Sequence, residues 1–202
     1  MRQSSHIATQ TAAAATISGH LFRASVIARQ MALAAKNSRA MVLRAGSKAA
    51  GLKVISDFFD ELADKTIGLS KAINQCAIGI SQNSVRQWRV QTFIDRMNTT
   101  TKRVEHHKQK ALRNTLDSAV NTMGDLQSDL LHQLRTLRDQ LDSIHHFMQA
   151  SNVVAVTFRL EATQTGEFQP LLLHMAENID GLSNRIKFHI NTSQSQLAQF
   201  RE

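Results

Sequence analysis

The chain has no tyrosine, a single proline, a single cysteine and a single tryptophan in 202 residues. Each scarcity excludes something. A lone cysteine, Cys76, closes no disulfide within the chain, so nothing here demands an oxidising compartment. With Pro170 the only proline, almost nothing interrupts a helix. Long hydrophobic runs are missing too: no apolar stretch approaches the roughly 20 residues that span a bilayer. The opening MRQSSHIATQTAAAATISGH is too polar for a secretory signal and only faintly suggests a transit peptide. The expected location is cytoplasmic.

What is present is helix-forming. Hydrophobic residues make up 42% of the chain, Ala supplies much of that, and Ala-, Leu- and Gln-rich sequence without breakers favours helix. The predicted fold class is all-α, with long antiparallel helical hairpins forming a coiled-coil four-helix bundle. Heptad spacing, apolar residues alternating by three and four, marks the arms. The first seam is Ile17, Leu21, Ala24, Ala28, Met31, Ala35, Ser38, Val42 and Ala45. Gly46 and Gly51 bracket a segment suited to reversing direction. The second seam reads Leu52, Ile55, Phe59, Leu62, Thr66, Leu69, Ile73, Cys76 and Ile80. The polar, Thr-rich segment 98–110 predicts a turn, although one long helix with a stutter would also fit. A third seam starts near Leu116 and passes through Val120, Met123, Leu130, Leu134, Leu137, Leu141, Ile144 and Met148. Trp88 and Phe93 are expected to tie the arms together at the far end.

Residues 1–98 thus form one predicted hairpin and 99–202 a second, more divergent one. A shift of 120 residues superimposes their heptad phases and pairs Ala35 with Ala155, Arg39 with Arg159, Gly46 with Gly166, Leu52 with Leu172, Asp60 with Asp180 and Leu62 with Leu182. A divergent internal repeat accounts for this, and chance likeness of two heptad hairpins is the bland alternative. Arms of about 45 residues would build a rod about 70 Å long with both tips at one end. Pairing within one chain, exchange of hairpins between chains and homo-oligomers all remain open at this level.

The stretch Ile27–Ala63 carries the functional signal. Ile27, Ala28, Gln30, Ala35, Asn37, Arg44, Ala45, Gly46, Gly51, Val54, Leu62 and Ala63 fall without a gap on a known pattern. It resembles the hairpin tip of the signalling domain of methyl-accepting chemotaxis proteins, with a fainter second copy over 151–182. The resemblance implies a binding surface without an active site, where receptors meet one another, their kinase and its coupling protein. It implies a partner-binding tip made of Asn37, Arg44, Gly46, Gly51, Glu161 and Glu167. The chain departs from the family at Met41, Ser47 and Ala50, where Glu, Glu and Arg are usual, and at Gln164 and Pro170 in the second copy. One half keeps Arg44 and the other Glu161, so a fused bundle is expected to present an acid and a base at one level. The methylated Glu/Gln pairs of the family have no counterpart, since no two Glu or Gln residues are adjacent. No sensor domain or membrane anchor is expected in these residues.

The formal charge of +8 supports a rival class, a basic bundle binding nucleic acid or an anionic membrane. Lys36, Arg39, Arg44, Lys48 and Lys53 crowd the first tip, and Lys102, Arg103, Lys108, Lys110 and Arg113 form a second cluster. Aromatic interleaving is absent, which favours solvated helix faces over phosphate binding. His106-His107 and His145-His146 are adjacent pairs, and neighbours on a helix point apart, so no metal centre is predicted. No phosphate-binding loop follows Gly46. The sequence predicts no enzyme, no cofactor and no small-molecule substrate.

Overall fold

The computed structural model describes residues 2–101 and 109–198. Among them four long helices account for nearly everything: α1 (Arg2–Ala45), α2 (Ala50–Thr101), α3 (Gln109–Ala162) and α4 (Gln169–Ala198). No strand occurs among the described residues. α1 packs beside α2 and α4, and α3 beside the same two, so α1 and α3 stand at diagonal corners. Each helix is antiparallel to both neighbours, and the molecule is an all-α four-helix bundle. The helices are 44, 52, 54 and 30 residues long. At the ordinary rise the longest measures about 80 Å. No helix among the described residues is long and apolar enough to cross a membrane.

Helix α2 reaches Thr101 and α3 begins at Gln109. Residues 98–101 and 109–110 are therefore helical, and the rest of the segment expected to hold the turn, 102–108, lies outside the described residues. His106, His107 and most of the second basic cluster lie there as well.

The core follows the first seam closely. All nine of its residues, Ile17 through Ala45, are at most 8% exposed. The second seam is displaced at alternate layers. Leu52, Phe59, Leu62, Thr66, Ile73 and Ile80 are buried as expected, but Ile55, Leu69 and Cys76 are only half-buried. The intervening core positions belong to Ser56, Ala63, Ser70, Ala77 and Ser84. Small side chains let α2 approach its neighbours, while the bulkier residues one step earlier cover the flanks of the interface. Cys76, expected as a buried hydrophobe, uses its thiol to donate to the Gln133 carbonyl on α3 at 3.3 Å, and burial pushes its pKa up.

The third seam corrects differently. Leu137, Leu141, Ile144 and Met148 are fully buried, but Leu116, Met123 and Leu134 are half-buried and Val120 is 51% exposed. Helix α4 ends at Ala198, and the first half of α3 extends past it. Among the described residues the seam there lacks a full set of packing neighbours. Trp88 and Phe93, expected to tie the arms, are 48% and 41% exposed. A polar cluster holds this stretch instead: Asn83 and Gln87 each donate to the Leu126 carbonyl, and Gln87 donates to Asn83 Oδ1 at 3.0 Å. Such buried amides fix the register of a helix pair.

The offset of 120 residues holds in three dimensions. Met31 and Ser151, Ala35 and Ala155, Ser38 and Phe158, and Val42 and Ala162 are all buried, and Ile55 and Met175 are half-buried alike. Gly46 and Gly166 both adopt a φ of +63°. In that left-handed region a Cβ is strained, so glycine is the residue that turns the chain there.

A contact between α1 and α4 makes stability depend on pH. His20 and His189 meet through their Nδ1 atoms at 2.9 Å, so one ring donates a proton to the other. Partial burial lowers the His189 pKa first, and the positive potentials of His20, Arg23 and Arg185 lower it further. Among the described residues no carboxylate offsets them: on α3 Asp142 accepts from Gln194, and on α2 Asn74 accepts from Ser18. The unfolded chain takes up its proton as pH falls through about 6.5, before folded His189 does. Stability from this contact is thus present above that pH and lost below it. Thermal melts at about pH 7.5 and about pH 5.5 should show a lower midpoint in acid, and His189→Gln should reduce the difference. An unchanged difference in the variant would assign the acid sensitivity elsewhere.

Candidate interaction surface at the bundle tip

The two turns lie at the same end of the bundle. The first is a 3-10 turn, Gly46–Ala49, directly after α1. The second leaves α3 through residues 163–165 and enters a 3-10 turn at Gly166–Phe168. Thr165 is buried in that passage, and its hydroxyl donates to the Ala162 carbonyl at 2.6 Å. The turn bonds from Thr163, Gln164 and Thr165 back to Leu160, Glu161 and Ala162 continue the tightening of the helix end.

Across the tip, Gly51 on α2 faces Glu161 on α3. A Cβ added at Gly51 would come within 3.1 Å of Glu161 Oε2, a tight contact that the flexible Glu161 side chain would relieve by a small shift. The structure therefore brings together one expected tip residue from each half. Arg44 is exposed at the end of α1, with its guanidinium against the Met41 sulfur at 3.9 Å. It makes no ion pair with half-buried Glu161 among the described residues, because α1 and α3 occupy diagonal corners. The expected acid–base pair is thus not a contact. Glu167 projects from the second turn and is exposed, and Asn37 lies on the outward face of α1, away from the turns.

Ion pairs form one step below the tip, between the arms of each hairpin. Arg159 donates to Asp180 at 2.6 Å. In the first hairpin Arg39 pairs with Asp57 at 3.2 Å, and Lys36 approaches Asp60 at 4.0 Å. Arg39/Arg159 and Asp60/Asp180 are identities between the halves, but the pairing differs: Arg159 meets Asp180, whereas Arg39 meets Asp57 and Asp60 is approached by Lys36. Their degree of exposure limits each to about 0–1 kcal/mol, enough to favour a register over its neighbours.

The tip also exposes apolar side chains that heptad reading passes over, of which only Val54 is marked by the resemblance. Leu43 is 62% exposed, Val54 74%, Val156 60% and Leu160 64%, and Leu171 adds to them beside the second turn. Heptad reading looks for residues that become buried within the chain, and these lie outside the seams. They lie at the tip level on three helices, Leu43 beside Arg44 on α1, Val54 on α2, and Val156 and Leu160 on the diagonal helix α3, so each side of the tip carries its own exposed apolar residues. Among the described residues no three His, Cys, Asp or Glu side chains gather as metal ligands. No protein-family model, curated protein or solved structure matches the chain.

Proposed function

We propose that this chain is a cytoplasmic, chemoreceptor-like signalling protein without catalytic activity or cofactor. It acts by contact of its hairpin tip with a chemotaxis receptor–kinase assembly. The observation that carries the reading is the common end of the two turns, where Arg44, Leu43, Val54, Val156 and Leu160 are all exposed. The resemblance over Ile27–Ala63 supplies the class of partner. Arginine is among the residue types enriched at interface hot spots, and Arg44 is exposed at this end.

A second reading rests on the replacement of tip residues at Met41, Ser47 and Ala50. It makes the chain a structural coiled-coil adaptor that keeps the bundle and has lost kinase coupling. A pull-down of the purified chain against the chemotaxis kinase and its coupling protein separates the two. Binding that Arg44→Ala weakens about tenfold or more supports the signalling reading. Absence of binding at low salt removes it and leaves the adaptor.

A further inference from the structure

At the level where His20 meets His189, no helix of the bundle supplies an acid among the described residues. Helix α1 has no aspartate or glutamate along its length. α2 has none between Asp64 and Asp95, α3 none between Asp142 and Glu161, and α4 none after Asp180. The contacts of Ser18 with Asn74 and of His145 with Asn191 place the histidine layer inside all of these gaps. One turn nearer the tip, Arg23 follows His20 on α1 and Arg185 precedes His189 on α4. The helices run antiparallel, so the two arginines stand at one level on either side of the α1–α4 groove. Both are exposed, and neither forms an ion pair among the described residues. Asp180 is turned to α3, where it accepts from Arg159, and exposed Glu177 lies about 12 Å further along α4 from Arg185. Burial and then these positive neighbours lower the pKa of His189, so the cluster is held together against its own repulsion.

We propose that this groove binds a dianionic phosphate group, free phosphate or a small phosphomonoester, between Arg23 and Arg185. Guanidinium forks match the oxygens of such a group, and its two negative charges offset the two arginines. The histidines complete the set. Where one ring donates from Nδ1, the accepting ring keeps its proton on Nε2, a further donor for a phosphate oxygen. No hydrogen bond among the described residues uses that donor. The extent of the cluster fixes the size of the ligand. It occupies little more than one helical turn, about 6 Å, room for one phosphate group and not for a run of them. A phosphodiester brings a single charge and leaves one arginine without a counter-charge. The inference stands apart from the tip reading, because Arg23 is about 30 Å along α1 from Arg44.

Melting the full chain at about pH 7.5 in inorganic phosphate and in sodium chloride of equal ionic strength tests this. Phosphate should raise the midpoint by about 3 °C or more beyond chloride, since a ligand of the folded state alone stabilises it. A matching response to glycerol phosphate assigns the site to phosphomonoesters, and a response to phosphate alone assigns it to the free ion. Dimethyl phosphate, with one charge, should act like chloride. Arg23→Gln with Arg185→Gln changes two exposed side chains, so the variant should fold like the parent and lose the phosphate response. In the parent chain the ring resonances of His20 and His189, alone among the nine histidines, should shift on adding phosphate. That measurement decides the matter even if the double variant does not fold. Equal midpoints in phosphate and chloride would overturn the proposal. So would a phosphate response that the double variant keeps, an equal response to dimethyl phosphate, or ring shifts spread over all the histidines.

Discussion

Phe158→Ala is expected to destabilise the bundle by about 3–5 kcal/mol, the largest single-site effect in this fold. Phe158 on α3 and Phe59 on α2 are both fully buried, with ring centroids 6.3 Å apart and an interplanar angle of 56°. Tilted pairs at this distance contribute beyond the area they bury. The 120-residue offset places Ser38 on α1 and Ile179 on α4 at the equivalent positions, and both are fully buried. Two aromatic rings thus share a layer with one small and one branched side chain. Ser38 cannot expand into a hole, so truncation at 158 leaves a cavity between the two hairpins. For a chain of this size the thermal midpoint should fall by about 10 °C or more. Phe158→Leu keeps most of the volume and should cost much less. A truncation cost below about 1 kcal/mol would mean that the hairpins do not pack through this layer.

The next largest effect comes from adding volume. Ala63→Leu should destabilise by about 1–3 kcal/mol, because Ala63 is fully buried in the row of small residues along α2. Its neighbours in that row, Ser56 and Ser70, have hydroxyls with no hydrogen-bond partner. Ser70→Ala is therefore expected to be neutral or stabilising, since it removes a desolvated polar group without leaving a partner unpaired. Opposite signs at positions one heptad apart are the signature of a surface selected for size rather than polarity. Denaturant midpoints for the two variants would show it. A stabilising Ala63→Leu would show instead that the row borders unfilled space.

The same row explains where the sequence was hardest to read. Heptad spacing located the α1 seam fully, and all nine of its residues are buried. On α2 the pattern admits two phases one residue apart. Weight given to large side chains favours Ile55, Leu69 and Cys76, whereas close approach of helices selects Ser56, Ser70 and Ala77. Which phase wins depends on the separation of helices, which is a property of the assembled bundle. The turns were legible from Gly46 and Gly166, since the left-handed backbone leaves few other choices. At the tip, the nearness of Gly51 and Glu161 and the separation of Arg44 from Glu161 both follow from the cyclic order of helices. Local sequence carries no record of that order.

Gly46 and Gly166 turn the chain with the same backbone angle, yet the side chains around them differ. In a bundle made of two identical hairpins, every surface residue appears twice, and a partner finds two equal places to bind. Here the two hairpins are covalently one molecule, and Arg44 has Gln164 as its counterpart. A protein that reads Arg44 meets one such site per rod and approaches from one side only. Joined in one chain, the two tips present Arg44 once rather than twice. Each tip is then free to change without forcing the same change on the other.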